Sequence, residues 1–244
     1  MLLAAEAIAQ AAAHPDLEAS APVWSASLLA SARPASAARV LAELARARRD
    51  AGAPLDPARV PLLPALLGNS SALARVLQRH PERIDDIEGA LPPPPRDDAV
   101  GASWSAIREA KYRGLLRVAA RDLAGRPFEQ GLRELSDLAD RCLRAALACA
   151  SDETGAPEPA LLALGKLGGR ELNFSSDVDL LFVYELPPGA DPLEAKDAAA
   201  RLIRVLKTRL EEPGDEGFGY RVDLNLRPEG RSGVLANPVE AWRA

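Results

Sequence analysis

With 244 residues, 48% of them hydrophobic and 27% charged, the chain has the composition of a globular protein able to bury one large core or two modest ones. The 30 basic and 35 acidic residues leave a formal charge of −5, so no global basic field marks a nucleic-acid partner. No run reaches the roughly 18 apolar residues of a membrane span, and Glu6 interrupts the apolar start before a signal-type segment forms, so a cytoplasmic protein is expected.

Residues 1–150 carry mostly helical apolar spacing, broken at Pro15, Pro34, between Pro54 and Pro64, at Pro81 and at Pro92 to Pro95. Aromatic residues are 4% of the chain and alanine supplies much of the apolar count, which favours helices with small contact residues. The Arg46-Ala47-Arg48-Arg49 cluster reads as a solvated helix face, and His80 before Pro81 reads as structural or solvent-facing. Four prolines in a row leave 91–98 without backbone donors over four positions, which predicts an exposed, extended loop.

A long helix is predicted over Trp104–Leu123, with Trp104 and Tyr112 in packing positions, and another over 129–150. Cys142 and Cys149 fall on one face of the second, two turns apart and too far to bridge, so both are expected as buried thiols. The Asp152-Glu153-Thr154-Gly155-Ala156-Pro157-Glu158-Pro159 stretch ends the helical pattern and predicts a boundary between a helical region, 1–150, and a second domain, 151–244. Strand-like runs follow at Ala160–Leu164, Val178–Tyr184 and 220–226, with an amphipathic helix over 191–212 whose first turn holds Pro192.

The chemistry concentrates in this second part. Gly168-Gly169 leads through Arg170-Glu171-Leu172-Asn173-Phe174-Ser175 to Ser176-Asp177-Val178-Asp179 and an apolar strand. Alternation puts Asp177 and Asp179 on one strand face, and a third carboxylate, Asp223, lies within the 220–226 run with Arg221 and Asn225 on its own face. If the two strands are neighbours, three carboxylates gather where a divalent metal offsets their repulsion. The glycines let backbone approach a phosphate, Ser176 adds a hydroxyl, and Lys166, Arg227 and Arg231 add positive charge. A glycine pair alone is a turn, and an Asp-x-Asp pair alone is a solvated strand end; their conjunction with Asp223 points to phosphoryl or nucleotidyl transfer.

Gly165-Lys166-Leu167-Gly168-Gly169-Arg170-Glu171-Leu172-Asn173-Phe174-Ser175-Ser176-Asp177-Val178-Asp179-Leu180 closely resembles the signature of the glutamine synthetase adenylyltransferase/adenylyl-removing family, within the polymerase-β-like nucleotidyltransferase superfamily. Leu67-Gly68-Asn69-Ser70-Ser71, His80-Pro81-Glu82, the stretch from Leu132 to Asp140, and Arg221-Val222-Asp223 through Gly233 are similar to the same family. The resemblance implies an α+β palm, a small mixed sheet with helices, after a helical N-terminal region. It also implies Mg²⁺ held by Asp177, Asp179 and Asp223, adenine nucleotide and phosphate as ligands, and glutamine synthetase as the protein substrate. Family members continue past the element that ends near Gly233 with more helices, a regulatory region and a second catalytic half. The palm is therefore expected to be truncated on its C-terminal side, with any signalling partner of the PII type contacting other regions. The Asn173-Phe174-Ser175-Ser176 wording resembles the half that removes AMP from a tyrosine by phosphorolysis more than the half that attaches it from ATP. The forward reaction and an inactive nucleotide- or partner-binding fragment remain the alternatives.

Overall fold

The computed structural model describes residues 2–87, 103–227 and 230–242, with the side chains of Arg231 and Trp242 outside the description. The loop expected at 91–98 falls outside the described residues. Two compact units emerge: Met1–Leu91 with Leu115–Phe128, and Pro92–Gly114 with Glu129–Ala244.

The first unit is helical. Its helices are α1 (Leu2–Ala12), α2 (Pro15–Glu18), α3 (Ala21–Leu29), α4 (Pro34–Asp50), α5 (Leu63–Asn69) and α6 (Ser71–Arg79). Proline opens α2, α3 and α4 within the first two positions, where its missing N–H would have had no partner. Leu41 and Leu44 of α4 pack with Leu17, Trp24, Leu28, Leu66 and Leu77 of its neighbours, all essentially inaccessible to solvent. Trp24 satisfies its buried indole N–H on the Leu17 carbonyl at 2.9 Å. The arginine cluster on α4 is not a free solvated face: Arg48 pairs with Asp85 at 2.9 Å and Arg49 with Asp16, while Arg46 stays exposed. Sequence spacing could not show this because both acids lie more than 30 residues away. His80 ends α6, with its imidazole 3.4 Å from Glu82.

Helix α7 (Trp104–Leu123) passes from the second unit into the first after Gly114, and matches the predicted span. Its last residue, Leu123, is exposed rather than buried. Helix α8 (Phe128–Thr154) is longer than predicted, because Asp152, Glu153 and Thr154 continue it until Gly155 turns the chain at φ 66°. A half-buried Trp104 donates to Glu153 at 3.1 Å, and Gly114 lets Leu138 approach so closely that no Cβ fits between them. Cys142 and Cys149 are buried and free, as expected.

The sheet of the second unit has four strands: β1 (Ala160–Leu164), β2 (Val178–Tyr184), β3 (Val222–Asp223) and β4 (Ala236–Pro238). Strand β1 runs antiparallel to β2, with Leu164 opposite Asp179; β3 and β4 run parallel to β2, at its start and end respectively. The parallel return to β3 is made by helix α10 (Pro192–Glu211), whose N-cap Asp191 accepts the Leu193 N–H at 2.9 Å. Val178, Leu180 and Phe182 are wholly buried on one face; on the other Asp179 and Val183 are half-buried while Leu181 between them is buried. The fold is therefore α+β, helix-rich with a small mixed sheet. Strand β3 is two residues long instead of the run over 220–226, because Asp223 accepts the Asn225 N–H at 2.6 Å and turns the chain. No helix among the described residues is long and apolar enough to cross a membrane.

The segment ahead of β3 is anchored on α7 by a buried lysine. Lys111 donates to the Phe218 carbonyl at 3.3 Å, and its ammonium lies 4.5, 4.8 and 5.0 Å from the ring centroids of Phe218, Tyr220 and Tyr112. Burial brings its pKa down to about 8, against an opposing pull from Cys142 and a small further push from Arg221. Burial also pushes the Cys142 thiol up to about 11 and raises Tyr220 well above the usual phenol range.

Between pH 8 and 9 folded Lys111 loses its proton while an unfolded lysine keeps it, so the unfolded state binds more protons and stability rises with pH. Above pH 9 an unfolded cysteine ionises and buried Cys142 does not, an opposite slope that offsets the further gain from Lys111. Urea unfolding of the wild type should therefore gain about 1 kcal/mol between pH 8 and 9 relative to Lys111→Met. Parallel pH profiles for the two proteins would refute the assignment.

Candidate active site

The Gly165–Gly168 segment is not an open glycine loop but one helical turn, α9, inserted between β1 and β2. Gly165 starts it at φ 52°, and a Cβ there would overlap the Asp179 carboxylate. A Cβ on Gly168 would sit 2.5 Å from the Ala163 carbonyl, so this glycine seats the turn on β1. Gly169 ends the turn at φ −78° and its added Cβ would meet nothing closer than 3.5 Å. The glycine that approaches the acidic site is thus Gly165, which its place just before Lys166 did not single out.

Arg170 follows with φ 58°, a backbone conformation rare outside glycine. It is held there by Asp137 and Asp140 of α8, the latter at 3.3 Å. Next to it the Leu172 N–H donates to the buried Ser136 hydroxyl at 3.3 Å. Helix α8 therefore fixes the exit of the turn. Asn173 then organises the loop, its side-chain oxygen accepting from the Ser175 N–H at 3.1 Å and the Ser176 hydroxyl at 2.9 Å. Lys166 donates to the same Ser176 hydroxyl at 3.3 Å, which brings these two expected site residues together.

Asp179 lies in β2 directly opposite Asp223 of β3, which joins two of the three expected carboxylates through the parallel register. Burial raises the Asp179 pKa, and the neighbouring charges of Asp223 and then Asp177 raise it further, with Lys166 opposing. Asp177 precedes the strand, and its carboxylate takes a hydrogen bond from Arg221 Nε. Arg221 also donates to the Ser175 carbonyl at 2.8 Å, tying the loop to the start of β3. Among the described residues no three His, Cys, Asp or Glu side chains are gathered into a metal-holding set, because the third carboxylate faces the guanidinium.

Helix α10 holds β3 in place. Lys207 donates to the Val222 carbonyl at 2.5 Å and pairs with Glu211, which accepts the Val222 N–H at 2.9 Å. Arg227 directs its guanidinium to the Gly233 carbonyl at 3.1 Å and the Leu224 carbonyl at 2.5 Å, closing the loop after β3. Arg231 lies next to that loop with its side chain outside the described residues. Sequence reading missed Arg221, Lys207 and Arg170. Arg221 alternates with Asp223 on one strand, which is a usable signal; the other two depend on contacts that local spacing does not carry.

Gly165→Ala should destabilise the chain by about 2 kcal/mol, from the left-handed backbone and the overlap with Asp179. Gly169→Ala should stay within about 0.5 kcal/mol of wild type. Equal losses for the two variants in urea denaturation would contradict this placement.

Residues 61–244 match the family model described as GlnE, glutamate-ammonia ligase adenylyltransferase. Three bacterial relatives, each named a bifunctional glutamine synthetase adenylyltransferase/adenylyl-removing enzyme, are similar to the chain. The Streptomyces avermitilis protein is 41% identical over 197 residues, covering 73% of this chain and 19% of its own length. That of Streptomyces coelicolor is 37% identical over 98% of this chain and 26% of its own. The Nitrosococcus oceani protein is 41% identical over 55% of this chain and 16% of its own. The chain thus spans between 16% and 26% of the length of these relatives. On the extent of the match, this chain belongs to the glutamate-ammonia ligase adenylyltransferase family.

Proposed function

We propose that residues 151–236 form a nucleotidyltransferase palm of the polymerase-β type, with the helical region before it. The chain then acts on glutamine synthetase, removing AMP from an adenylylated tyrosine by phosphorolysis in the control of nitrogen assimilation. The observation that carries this reading is the register of Asp179 against Asp223 beside Gly165, which sets two carboxylates at the edge of the Gly165–Gly168 turn. The names of the relatives support the substrate. The Asn173-Phe174-Ser175-Ser176 wording supports the removing direction.

The donor set suits Mg²⁺, since carboxylate oxygens are its preferred protein ligands and the register sets Asp179 opposite Asp223. Asp179 and Asp223 would hold it, with Asp177 completing the set once its carboxylate leaves Arg221. Mg²⁺ supplies a Lewis acid beside the phosphoryl group and offsets its negative charge. The chain's own groups do the positioning. Lys166 presents its ammonium toward an incoming phosphate, the Ser176 hydroxyl joins it on releasing Asn173, and the turn ends in Gly168 and Gly169, which add no side chain there. Arg227 links the Leu224 and Gly233 carbonyls, and Arg231 is proposed as a further phosphate contact. An oxygen of hydrogen phosphate bonds to the adenylyl phosphorus, the bond from phosphorus to the tyrosine oxygen breaks, that oxygen takes up the proton the phosphate gives up, and ADP leaves.

In this reading Asp177→Asn combined with Asp179→Asn lowers ADP release from adenylylated glutamine synthetase at least about 100-fold while the circular dichroism spectrum is unchanged. Undiminished release would sink the assignment. Transfer of label from ATP to unmodified glutamine synthetase, without added phosphate, would instead assign the forward reaction.

A further inference from the structure

Arg221 meets the acidic site in an arrangement that its neighbours do not share. Its Nε donates to Asp177 and its Nη2 to the Ser175 carbonyl at 2.8 Å, so one nitrogen of the guanidinium rests on a side chain and another on the backbone. The two ends differ in how easily they let go. The ion pair is solvent-exposed, with 57% of the Arg221 side chain and 50% of the Asp177 side chain accessible, and such pairs contribute about 0–1 kcal/mol. The backbone contact does not depend on the charge of Asp177. On the same loop, Ser176 carries the hydroxyl to which Lys166 donates, and Asn173 fixes the positions of both serines.

We propose that Arg221 is an exchangeable partner of Asp177: it neutralises that carboxylate until a divalent cation takes it, and then offers the freed N–H to a phosphoryl oxygen beside Lys166 and Ser176. This rests on the reading of Asp177 as a cation ligand. Two positive groups on one carboxylate repel, so the guanidinium and the cation oppose each other there. The Ser175 anchor keeps the guanidinium at the loop after the exchange, where a fork of N–H donors suits a phosphoryl group better than a water-exposed carboxylate does. Cation and phosphate thereby assist each other through one side chain, and by linkage each strengthens the other's binding equally. A residue that merely braced the loop would weaken both ligands when removed.

Titration of the full chain with Mn²⁺ alone, read from the electron paramagnetic resonance of the free ion, tests the first half. Arg221→Gln should bind Mn²⁺ about threefold to tenfold more tightly than wild type. Inorganic phosphate and ADP, titrated separately by calorimetry in saturating Mg²⁺, test the second half. At least one should bind about tenfold more weakly to Arg221→Gln, and which one identifies the source of the phosphoryl group. Arg221→Lys keeps the charge and loses the fork, so its Mn²⁺ affinity should stay within about twofold of wild type while the anion still weakens. Unchanged or weaker Mn²⁺ binding by folded Arg221→Gln, or unaltered affinity for both anions, overturns the exchange alone. Absence of Mn²⁺ binding by the wild type overturns the assignment of the carboxylates and the exchange with it.

Discussion

The parallel pairing of β2 with β3 over two positions, Val178 with Val222 and Asp179 with Asp223, is the constraint on which the rest of the second unit depends. It brings like charges together in a half-buried setting, which costs free energy through desolvation and repulsion. A two-residue strand offers few ladder hydrogen bonds to offset that. The deficit is met from outside the strand: Val178 donates to the Arg221 carbonyl at 2.9 Å, and Val222 is gripped at both its N–H and its carbonyl by Glu211 and Lys207 of α10. Packing behind the sheet and polar clamps at its edge therefore act together to hold an arrangement that electrostatics opposes.

The same logic extends to the turn in front of Asp179. Gly165 leaves room for the carboxylate, Gly168 lets the turn rest on β1, and Arg170 adopts a strained backbone because two acids on α8 hold its side chain. Below β3, the segment carrying Phe218 and Tyr220 is pinned by Lys111 of α7. Three helices thus each fasten one approach to the site: α7 the segment before β3, α8 the exit of the turn, and α10 the strand itself.

Elements with a strong local period were legible in the sequence. Trp104–Leu123, Ala160–Leu164 and Val178–Tyr184 fall where spacing puts them, and the helix over 191–212 is recovered with its cap at Asp191. What escaped are features decided by a partner far along the chain. Strand β4 has three residues and no alternation of its own; it exists because Phe182 to Tyr184 present an open ladder. The overlong strand expected at 220–226 failed for a local reason, since Asp223 competes with the ladder for the backbone two residues on. Within the site, the juxtaposition of Asp179 and Asp223 was readable as a condition on strand pairing. The orientation of Asp177 was not, because the side chain that takes it lies 44 residues on in the chain.

The distribution of positive charge around the site follows from this division of labour. Arg170 faces the acids of α8, Arg227 faces two carbonyls, and Lys207 faces Glu211 and the Val222 carbonyl. Among the described residues that leaves Lys166 and Arg221 as the cations facing the loop and its carboxylates, two positive charges against Asp177, Asp179 and Asp223. An excess of carboxylate beside a turn that carries a lysine is the electrostatic condition under which a divalent cation and a phosphate bind together better than either binds alone. Arg227, which the sequence offers to the phosphate, has its guanidinium on the Leu224 and Gly233 carbonyls, and in the proposed site keeping it there leaves the local charge negative enough for the cation to enter.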